Sequence, residues 1–194
     1  MRTVGWLIDT FRPAVAVETG TYRGTTTAWF AEECGLSTYT VEKQWRFATY
    51  SRIRFLRDRR VHVTRGDSRR FLRRLGSRGV VPARSLFYLD AHWGTDFPLR
   101  TELEIIAAAW PRAIVIIDDF LVPWDDGYGY DDYGVSQTVG LDRLDGIRGL
   151  DCYLPTAPSS EETGARRGTA YLTPESDRDT MESCPDVRRW IPSP

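Results

Sequence analysis

The chain has 194 residues, of which 41% are hydrophobic and 12% aromatic, and its net charge is −1. This length fits one domain with a full hydrophobic core. The balanced charge gives no overall electrostatic case for a nucleic-acid or membrane partner, although arginines cluster between Arg46 and Arg78. Three cysteines without metal-binding spacing favour a reducing, cytoplasmic location, and we expect neither a secretion signal nor a membrane-spanning segment.

Apolar runs alternate with helical patterns along the chain, which is typical of a parallel sheet with crossover helices. The first five predicted strands are residues 14–18, 38–42, 61–66, 85–90 and 113–118. Helices are predicted near residues 24–34, 44–57, 67–75 and 98–110. Each strand ends in an acid or is followed by one: Glu18, Glu42, Asp67, Asp90 and Asp118. Because ligands bind outside the carboxyl ends of the strands in doubly wound sheets, this edge is the predicted site.

The pattern changes after Phe120. Residues 121–134, LVPWDDGYGYDDYG, have no period and are long enough for a lid or substrate loop. Strands at 150–156 and 168–173 flank a polar connection, a short helix is predicted at 142–149, and residues 174–194 are expected to form a loosely packed tail. Several aromatic residues in or near the long loop are candidates for an acceptor pocket: Trp93, Trp124, Tyr128, Tyr130 and Tyr133.

The loop from Glu18 to Gly24 connects the first strand to a helix. Gly20 permits a tight turn, and Gly24 allows the helix to begin close to the strand. A helix N-terminus favours a carboxylate and Glu18 can accept hydrogen bonds from an ammonium group, so the loop suits an amino acid zwitterion; a simple glycine turn is the alternative. Glu42 lies where nucleotide-binding sheets place the acid that binds ribose. Asp67 either contacts an adenine or caps the next helix.

The successive motifs ETGTYRG, VEK, RGDS and YLDAHW resemble those of class I S-adenosylmethionine-dependent methyltransferases over about residues 14–173. The resemblance implies an α/β, doubly wound Rossmann-like sheet of seven strands, mostly parallel with an antiparallel last strand, in one domain of residues 1–173 followed by a tail at 174–194. It also implies that Glu18 and Gly20 face the methionine part of S-adenosylmethionine, Glu42 the ribose and Asp67 the adenine. The expected cofactor-binding residues are Glu18, Gly20, Thr21, Tyr22, Gly24, Thr25, Glu42, Lys43, Asp67, Ser68 and Asp90.

A second group of candidates follows the fourth and fifth strands. The carboxylates of Asp90, Asp118 and Asp119 repel each other unless a cation is present, and oxygen ligands suit Mg²⁺, Mn²⁺ or Ca²⁺. The three resemble the metal triad of the metal-dependent sugar and natural-product O-methyltransferases of the macrocin and novobiocin type. Those enzymes carry a catalytic acid two residues after the first aspartate, where this chain has His92, itself a competent base at neutral pH. A solvated turn at Asp118–Asp119 and a structural role for His92 are the alternatives.

The sequence therefore predicts methyl transfer from S-adenosylmethionine to a hydroxyl of a small molecule such as a sugar, a catechol or another natural-product intermediate. Mg²⁺ or Mn²⁺ is expected on Asp90, Asp118 and Asp119, with His92 and Asp90 as catalytic residues. Three alternatives stay open: a metal-free N- or C-methyltransferase, a relative of the cephalosporin hydroxylase type and a non-catalytic nucleoside-binding protein. No nucleic-acid or membrane partner is expected. A cap over the acceptor must come from residues 121–136, the tail or another subunit, so a homo-oligomer also stays open.

Overall fold

The structure, a computed structural model, describes residues 2–92, 96–134, 137–162 and 164–191. In these ranges the α-helices are α1 (Arg2–Phe11), α2 (Thr25–Ala28), α3 (Trp45–Arg54), α4 (Ser68–Arg78), α5 (Leu99–Ala109) and α6 (Arg178–Glu182), and a π-helical turn at Trp29–Glu33 continues α2. The strands are β1 (Val15–Thr19), β2 (Ser37–Glu42), β3 (Val61–Arg65), β4 (Leu86–Leu89), β5 (Ile114–Ile117), β6 (Leu150–Pro155), β7 (Ala170–Pro174) and β8 (Val187–Arg189). All seven strands predicted from the sequence are present and begin and end within two residues of the predicted bounds.

The strands form one sheet in the order β3-β2-β1-β4-β5-β7-β6-β8. Strands β1 to β5 are parallel, whereas β7 runs antiparallel to both β5 and β6, and β8 runs antiparallel to β6. The predicted doubly wound, mostly parallel α/β sheet is confirmed, with eight strands in the described ranges instead of seven. The strand order reverses between β1 and β4, which is the position where open α/β sheets bind their ligands.

Helices cover both faces of the sheet because side chains along each strand alternate between the faces. Val15 and Val17 of β1 belong to a core cluster with apolar residues of α4 and α5. Ala16 belongs to a second cluster with Val4 and Leu7 of α1, a helix that the sequence analysis did not predict. The predicted helix at 142–149 is limited to a 3₁₀ turn at Leu141–Leu144, and none of the helices in the described ranges has the length and apolarity to cross a membrane.

The expectation of a loosely packed tail after residue 173 is wrong for the described residues up to Ile191. Strand β8 pairs with β6, and Met181, Cys184 and Val187 are buried in the second core cluster. The proline-bearing, polar composition concealed a short helix and a three-residue strand that contribute these apolar side chains to the core.

Candidate functional site

A cavity of about 400 Å³ lies at the carboxyl ends of β1, β2, β4 and β5, beside the start of α4. This is the edge that the sequence predicted as the site. Seven predicted cofactor-binding residues line it, namely Gly20, Tyr22, Glu42, Lys43, Asp67, Ser68 and Asp90. The other lining residues are Val41, Gln44, Phe47, Gly66, Ala91, Asp96, Pro98, Asp119, Asp131, Tyr133 and Arg167.

Gly20 allows the end of β1 to approach the end of β4 closely. Its φ is +89°, and a Cβ atom at this position would lie 2.0 Å from the carbonyl oxygen of Asp90. The amides of Gly20 and Thr21 donate to the carbonyl of Val41, at 3.0 and 3.2 Å, so both are already used inside the protein. The glycine therefore serves the backbone geometry of the cavity wall.

Glu18 does not line the cavity, although the sequence analysis expected it to face the methionine part of the cofactor. Its carboxylate is fully buried and accepts hydrogen bonds from the hydroxyls of Thr27 and Thr40, the latter at 2.6 Å. Burial raises the pKa of Glu18 to about 7 against the opposing effect of these two hydrogen bonds. Thr21, Gly24 and Thr25 also lie outside the cavity lining. In the loop after β1, Gly20 and Tyr22 therefore line the cavity, whereas Glu18 supports the loop from inside the protein.

Glu42, at the end of β2, faces the cavity and holds the loops around it. One carboxylate oxygen accepts from the amide of Tyr22 at 2.8 Å and the other from the amide of Gln44 at 2.7 Å. An ionised carboxylate has about four acceptor positions, so each oxygen can still accept a further hydrogen bond. Phe47 and Tyr22 pack edge to face beside it, with ring centroids 4.4 Å apart.

Asp67 both lines the cavity and caps α4. Its side chain accepts from the amide of Arg70 at 3.2 Å, and it forms an ion pair with Arg69. These hydrogen bonds, with that of Arg69 the strongest, lower the pKa of Asp67 to about 2. Arg69 and Lys43 also pair with Asp96, which joins this side of the cavity to the segment before α5. The capping role expected as an alternative is therefore present in addition to cavity lining.

Four carboxylates gather at the opposite end of the cavity: Asp90, Asp118, Asp119 and Asp131. Burial, followed by repulsion from Asp118 and Asp119, raises the pKa of Asp90 to about 9. Burial also raises the pKa of Asp118, whose carboxylate accepts a hydrogen bond from the hydroxyl of Tyr88. Without a bound cation, burial and repulsion within this cluster therefore favour the protonated form of Asp90 at neutral pH.

Arg167 is the cation that the protein itself provides there. Its guanidinium forms ion pairs with both Asp119 and Asp131. The backbone of Arg167 is held by a bridge to Gly129 in the long loop, and the amide of Gly168 donates to the carbonyl of Gly129 at 2.8 Å. Asp119 has a left-handed φ of 55°, an unfavourable backbone conformation for a residue with a side chain and one that often marks functional sites.

The expected metal triad of Asp90, Asp118 and Asp119 stays a prediction, and the protein's own groups contact two of its three carboxylates. Tyr88 binds the carboxylate of Asp118, and Arg167 binds that of Asp119. Within the described residues, no group of three or more His, Cys, Asp and Glu side chains is arranged to hold a metal ion. Asp118 is also absent from the cavity lining, because its side chain points towards Tyr88.

His92 lies next to this cluster, but its ring does not reach the cavity. The residue is fully buried, and its ring packs against Phe97 with centroids 5.8 Å apart. The backbone of Asp118 lies beside it, yet neither ring nitrogen has a partner in hydrogen-bond geometry among the described residues. Burial lowers the pKa of His92, against the opposing effect of Asp119 and Asp131. His92 therefore lies near the cavity and does not line it.

Of the aromatic residues proposed for an acceptor pocket, Tyr133 lines the cavity. Its hydroxyl contacts the Asp131 carboxylate and lies 2.8 Å from the carbonyl oxygen of His92. Trp124 packs on Trp190 and donates to the carbonyl of Pro155, Tyr128 is buried, and Tyr130 lies outside the cavity lining. Trp93 falls outside the described residues.

Four further residues that line the cavity were not predicted from the sequence as site residues: Asp131, Arg167, Phe47 and Asp96. Asp131 belongs to the loop that was proposed to contact substrate, so its acidic composition was a usable signal. No comparable signal exists for Arg167, because it follows a polar connection. It reaches the site through a bridge with Gly129, a residue far away in the sequence.

The fold is the one found in class I S-adenosylmethionine-dependent methyltransferases. TomG from Streptomyces achromogenes, an O-methyltransferase involved in tomaymycin synthesis and solved in complex with SAM, matches with a TM-score of 0.66 and 18% identity over 89% of this chain and 78% of TomG. The O-methyltransferase from Bacillus cereus in complex with SAH matches with a TM-score of 0.62 and 19% identity over 90% of this chain and 80% of that chain. A mutant of MtNAS in complex with S-adenosylmethionine has a TM-score of 0.54 and 16% identity over 89% of this chain and 60% of that chain. No protein-family model and no curated protein matches the sequence, and at these identities the likeness establishes the fold alone.

Proposed function

We propose that this protein is an S-adenosylmethionine-dependent O-methyltransferase acting on a hydroxyl group of a small molecule. The observation that carries the proposal is the cavity at the strand-order reversal, which has Glu42 at one end and a cluster of carboxylates at the other. Its volume of about 400 Å³ lies within the usual range for ligand sites. Structures of the same fold solved with SAM or SAH support this cofactor.

The cofactor is proposed to lie along the cavity from Asp67 to Asp90. Glu42 accepts hydrogen bonds from the two ribose hydroxyls with its remaining lone pairs. Asp67, Ser68 and Phe47 contact the adenine end, and Gly20 and Asp90 face the methionine end. A sulfonium near Asp90 favours the ionised carboxyl group, which offsets part of the cost of burying it.

The methyl acceptor is proposed to bind between the cofactor and the group formed by Asp119, Asp131, Tyr133 and Arg167. Asp131 is held by Arg167 and contacts Tyr133, so it is fixed in the cavity wall. We assign Asp131, in place of His92, as the general base, because it faces the cavity and His92 does not. The acceptor hydroxyl passes its proton to Asp131, its oxygen forms a bond to the methyl carbon, and the carbon–sulfur bond breaks with its electron pair remaining on sulfur.

No step of this reaction is assigned to a metal ion, because Arg167 already provides a cation beside Asp119 and Asp131. Arg167 balances part of the charge that the sequence analysis assigned to Mg²⁺ or Mn²⁺. A chelation assay tests this point: methyl transfer should persist after treatment with EDTA. If EDTA abolishes methyl transfer and Mg²⁺ or Mn²⁺ restores it, the reaction depends on a metal ion and the metal triad is the better assignment.

The proposal is tested by calorimetry with S-adenosylmethionine and S-adenosylhomocysteine, followed by transfer of a labelled methyl group to a panel of sugars, catechols and other natural-product intermediates. Binding of both ligands and labelling of a hydroxyl acceptor are expected. The absence of binding would contradict the proposal, binding without transfer would favour a nucleoside-binding protein, and labelling at nitrogen or carbon would favour the N- or C-methyltransferase.

The three free cysteines support the cytoplasm as the location.

A further inference from the structure

A second groove, of about 560 Å³, lies outside the proposed cofactor site. It runs between α4 and the exposed face of β2 and β3 at the edge of the sheet, and it meets the first cavity at Gly66 and Asp67. Apart from Asp67, which lines both, none of the residues assigned to the proposed methyl transfer lies in this groove.

Four arginines line the groove: Arg65, Arg70, Arg74 and Arg78. All four are exposed, and none forms an ion pair within the described ranges of the chain. Asp67, the acid in the groove wall, is already paired with Arg69 and caps α4. Arginines spaced four residues apart on one helix repel each other and destabilise it by themselves. Their alignment is therefore an energetic cost that a bound anion would offset.

The arginines also have a regular spacing. Successive members of the row Arg70, Arg74 and Arg78 are about 6 Å apart along the axis of α4, from the helical rise per residue. This is close to the distance between neighbouring phosphates in an extended sugar-phosphate chain. A row of this kind suits several linked phosphates better than a single one.

The opposite wall of the groove carries two stacked rings. Tyr39 of β2 and His62 of β3 have centroids 4.7 Å apart and ring planes inclined by 25°. His62 is exposed and lies on β3, the edge strand of the sheet, so solvent and ligands can reach this residue. Aromatic platforms beside a basic groove are the usual features of sites that bind single-stranded nucleic acid.

We propose that this groove binds single-stranded nucleic acid, with the sugar-phosphate chain on the arginine row and a base on the Tyr39–His62 stack. The expectation of no nucleic-acid partner rested on the net charge of the whole chain. Between Arg46 and Arg78 the sequence contains twelve arginines and two aspartates, so the local charge is strongly positive.

The test is fluorescence polarisation of the full chain with fluorescein-labelled twelve-nucleotide oligouridylate and oligothymidylate at several salt concentrations. The double variant Arg70→Glu/Arg74→Glu should weaken binding at least tenfold, and it should reduce the salt dependence of log K by about 1.4, the contribution of two phosphates on a single strand. The variant Arg57→Glu/Arg73→Glu makes the same charge change at exposed positions outside the groove and should weaken binding less than threefold. His62→Ala should weaken binding by about tenfold through the loss of stacking.

If the two double variants lose the same amount of oligonucleotide affinity, or if Arg70→Glu/Arg74→Glu binds like the wild type, the groove is not the binding site. If uridine monophosphate or inorganic phosphate binds as tightly as the oligonucleotides, the proposal that the ligand is a nucleic-acid strand is wrong, and the ligand is a single phosphate group. Binding to phosphatidylserine vesicles without binding to either oligonucleotide would identify a membrane surface instead. Tighter binding of one oligonucleotide supports the proposal, and oligodeoxyuridylate then separates the effect of the 2′-hydroxyl from that of the thymine methyl group. Thermal unfolding and S-adenosylmethionine calorimetry on each variant separate these outcomes from misfolding.

Discussion

Glu18 places an ionisable group in the interior directly beneath the cavity. Its pKa is about 7 in the folded protein and 4.5 in the absence of burial. Between these values the folded state binds more protons than the unfolded state, so the free energy of unfolding decreases as pH rises from about 4.5 to about 7 and then levels off. This contribution amounts to about 3 kcal/mol.

Glu18→Gln should remove this pH dependence, because the amide keeps the shape of the side chain and does not ionise. Relative to the wild type, the variant should gain about 3 kcal/mol of stability between pH 4.5 and pH 8. Urea unfolding at both pH values measures the difference, and other titrating groups cancel in the comparison. If the variant and the wild type have the same difference in free energy of unfolding between the two pH values, Glu18 does not cause the pH dependence.

Glu42→Gln should weaken the binding of S-adenosylmethionine by roughly 1–3 kcal/mol. The amide cannot accept at both oxygen positions, so one of the amide donors of Tyr22 and Gln44 loses its partner, and a ribose hydroxyl loses a charged acceptor. Calorimetry measures the effect. Glu104→Gln, on the exposed surface of α5, is the matched control and should bind like the wild type. If the Glu42 variant binds S-adenosylmethionine as tightly as the wild type, Glu42 does not bind the ribose hydroxyls.

The base assignment separates Asp131 from His92. Asp131→Asn should lower kcat by about 10²–10⁴-fold with little change in cofactor affinity, because a general base is lost and the shape of the side chain is kept. His92→Gln should lower kcat by less than about tenfold, since a buried ring outside the cavity acts on the rate only through packing. Single-turnover rates with the labelled cofactor measure both variants. The reverse ranking would restore the sequence-based assignment of His92.

At the scale of elements, Gly20 tests how closely β1 and β4 must meet. Gly20→Ala introduces a Cβ atom 2.0 Å from the backbone oxygen of Asp90 at a φ of +89°. Backbone must move to relieve this clash, so the variant should lose at least about 2 kcal/mol of stability and bind cofactor weakly. Gly5→Ala in α1, where a Cβ atom meets nothing within 4 Å, should instead gain about 0.5–1 kcal/mol. Thermal unfolding compares the two, and equal effects would contradict a special role for Gly20.

The central elements could be predicted from the sequence because their signals are local. The strands β1 to β5 are apolar runs that end at acids, and parallel strands bring those acids to one edge. Glu42, Asp67 and Asp90 line the cavity at this edge, and their contacts with a cofactor stay a prediction. The direction of a side chain at a strand end is set by its neighbours, so the same pattern also assigned Glu18 and Asp118, which point into the protein.

The remaining features depend on contacts between distant residues. Strand β8 has three residues, two of them arginine, and it becomes a strand because β6 offers a free edge. Arg167 reaches the carboxylates through the bridge with Gly129, which neither segment encodes alone. Helix α1 is amphipathic, yet its place on the sheet is fixed by partners as far away as Val187. Such pairings follow from the assembled core and leave no local signal in the sequence.

At the scale of the whole molecule, charge is divided between two sides of the cavity at the strand ends. Carboxylates gather at the β4 and β5 side, and arginines gather around α3, β3 and α4. A net charge near zero thus hides two regions of opposite sign. The proposed cofactor, with its cationic sulfonium, and the proposed polyanion would therefore be attracted to different sides of one protein.

The C-terminal segment closes the far end of the sheet, and its removal should destabilise the whole fold. Met181, Cys184 and Val187 belong to the same buried cluster as Val4 and Leu7, and β8 covers an edge of β6. A chain ending at Pro174 exposes that cluster and that edge, so it should aggregate or unfold at a markedly lower urea concentration than the full chain. A chain ending at Ile191 keeps β8 and should unfold like the full protein.

Met181→Ala in the full-length chain tests the same contact without cutting the backbone. The side chain is fully buried, so its truncation should cost about 2–5 kcal/mol. Thr180 lies exposed on the same helix and provides the comparison, so Thr180→Ala should cost less than about 1 kcal/mol. If the chain ending at Pro174 and the Met181 variant both unfold with the wild-type urea midpoint, residues 175–191 pack on the sheet without stabilising it, and the core of the protein ends at β7.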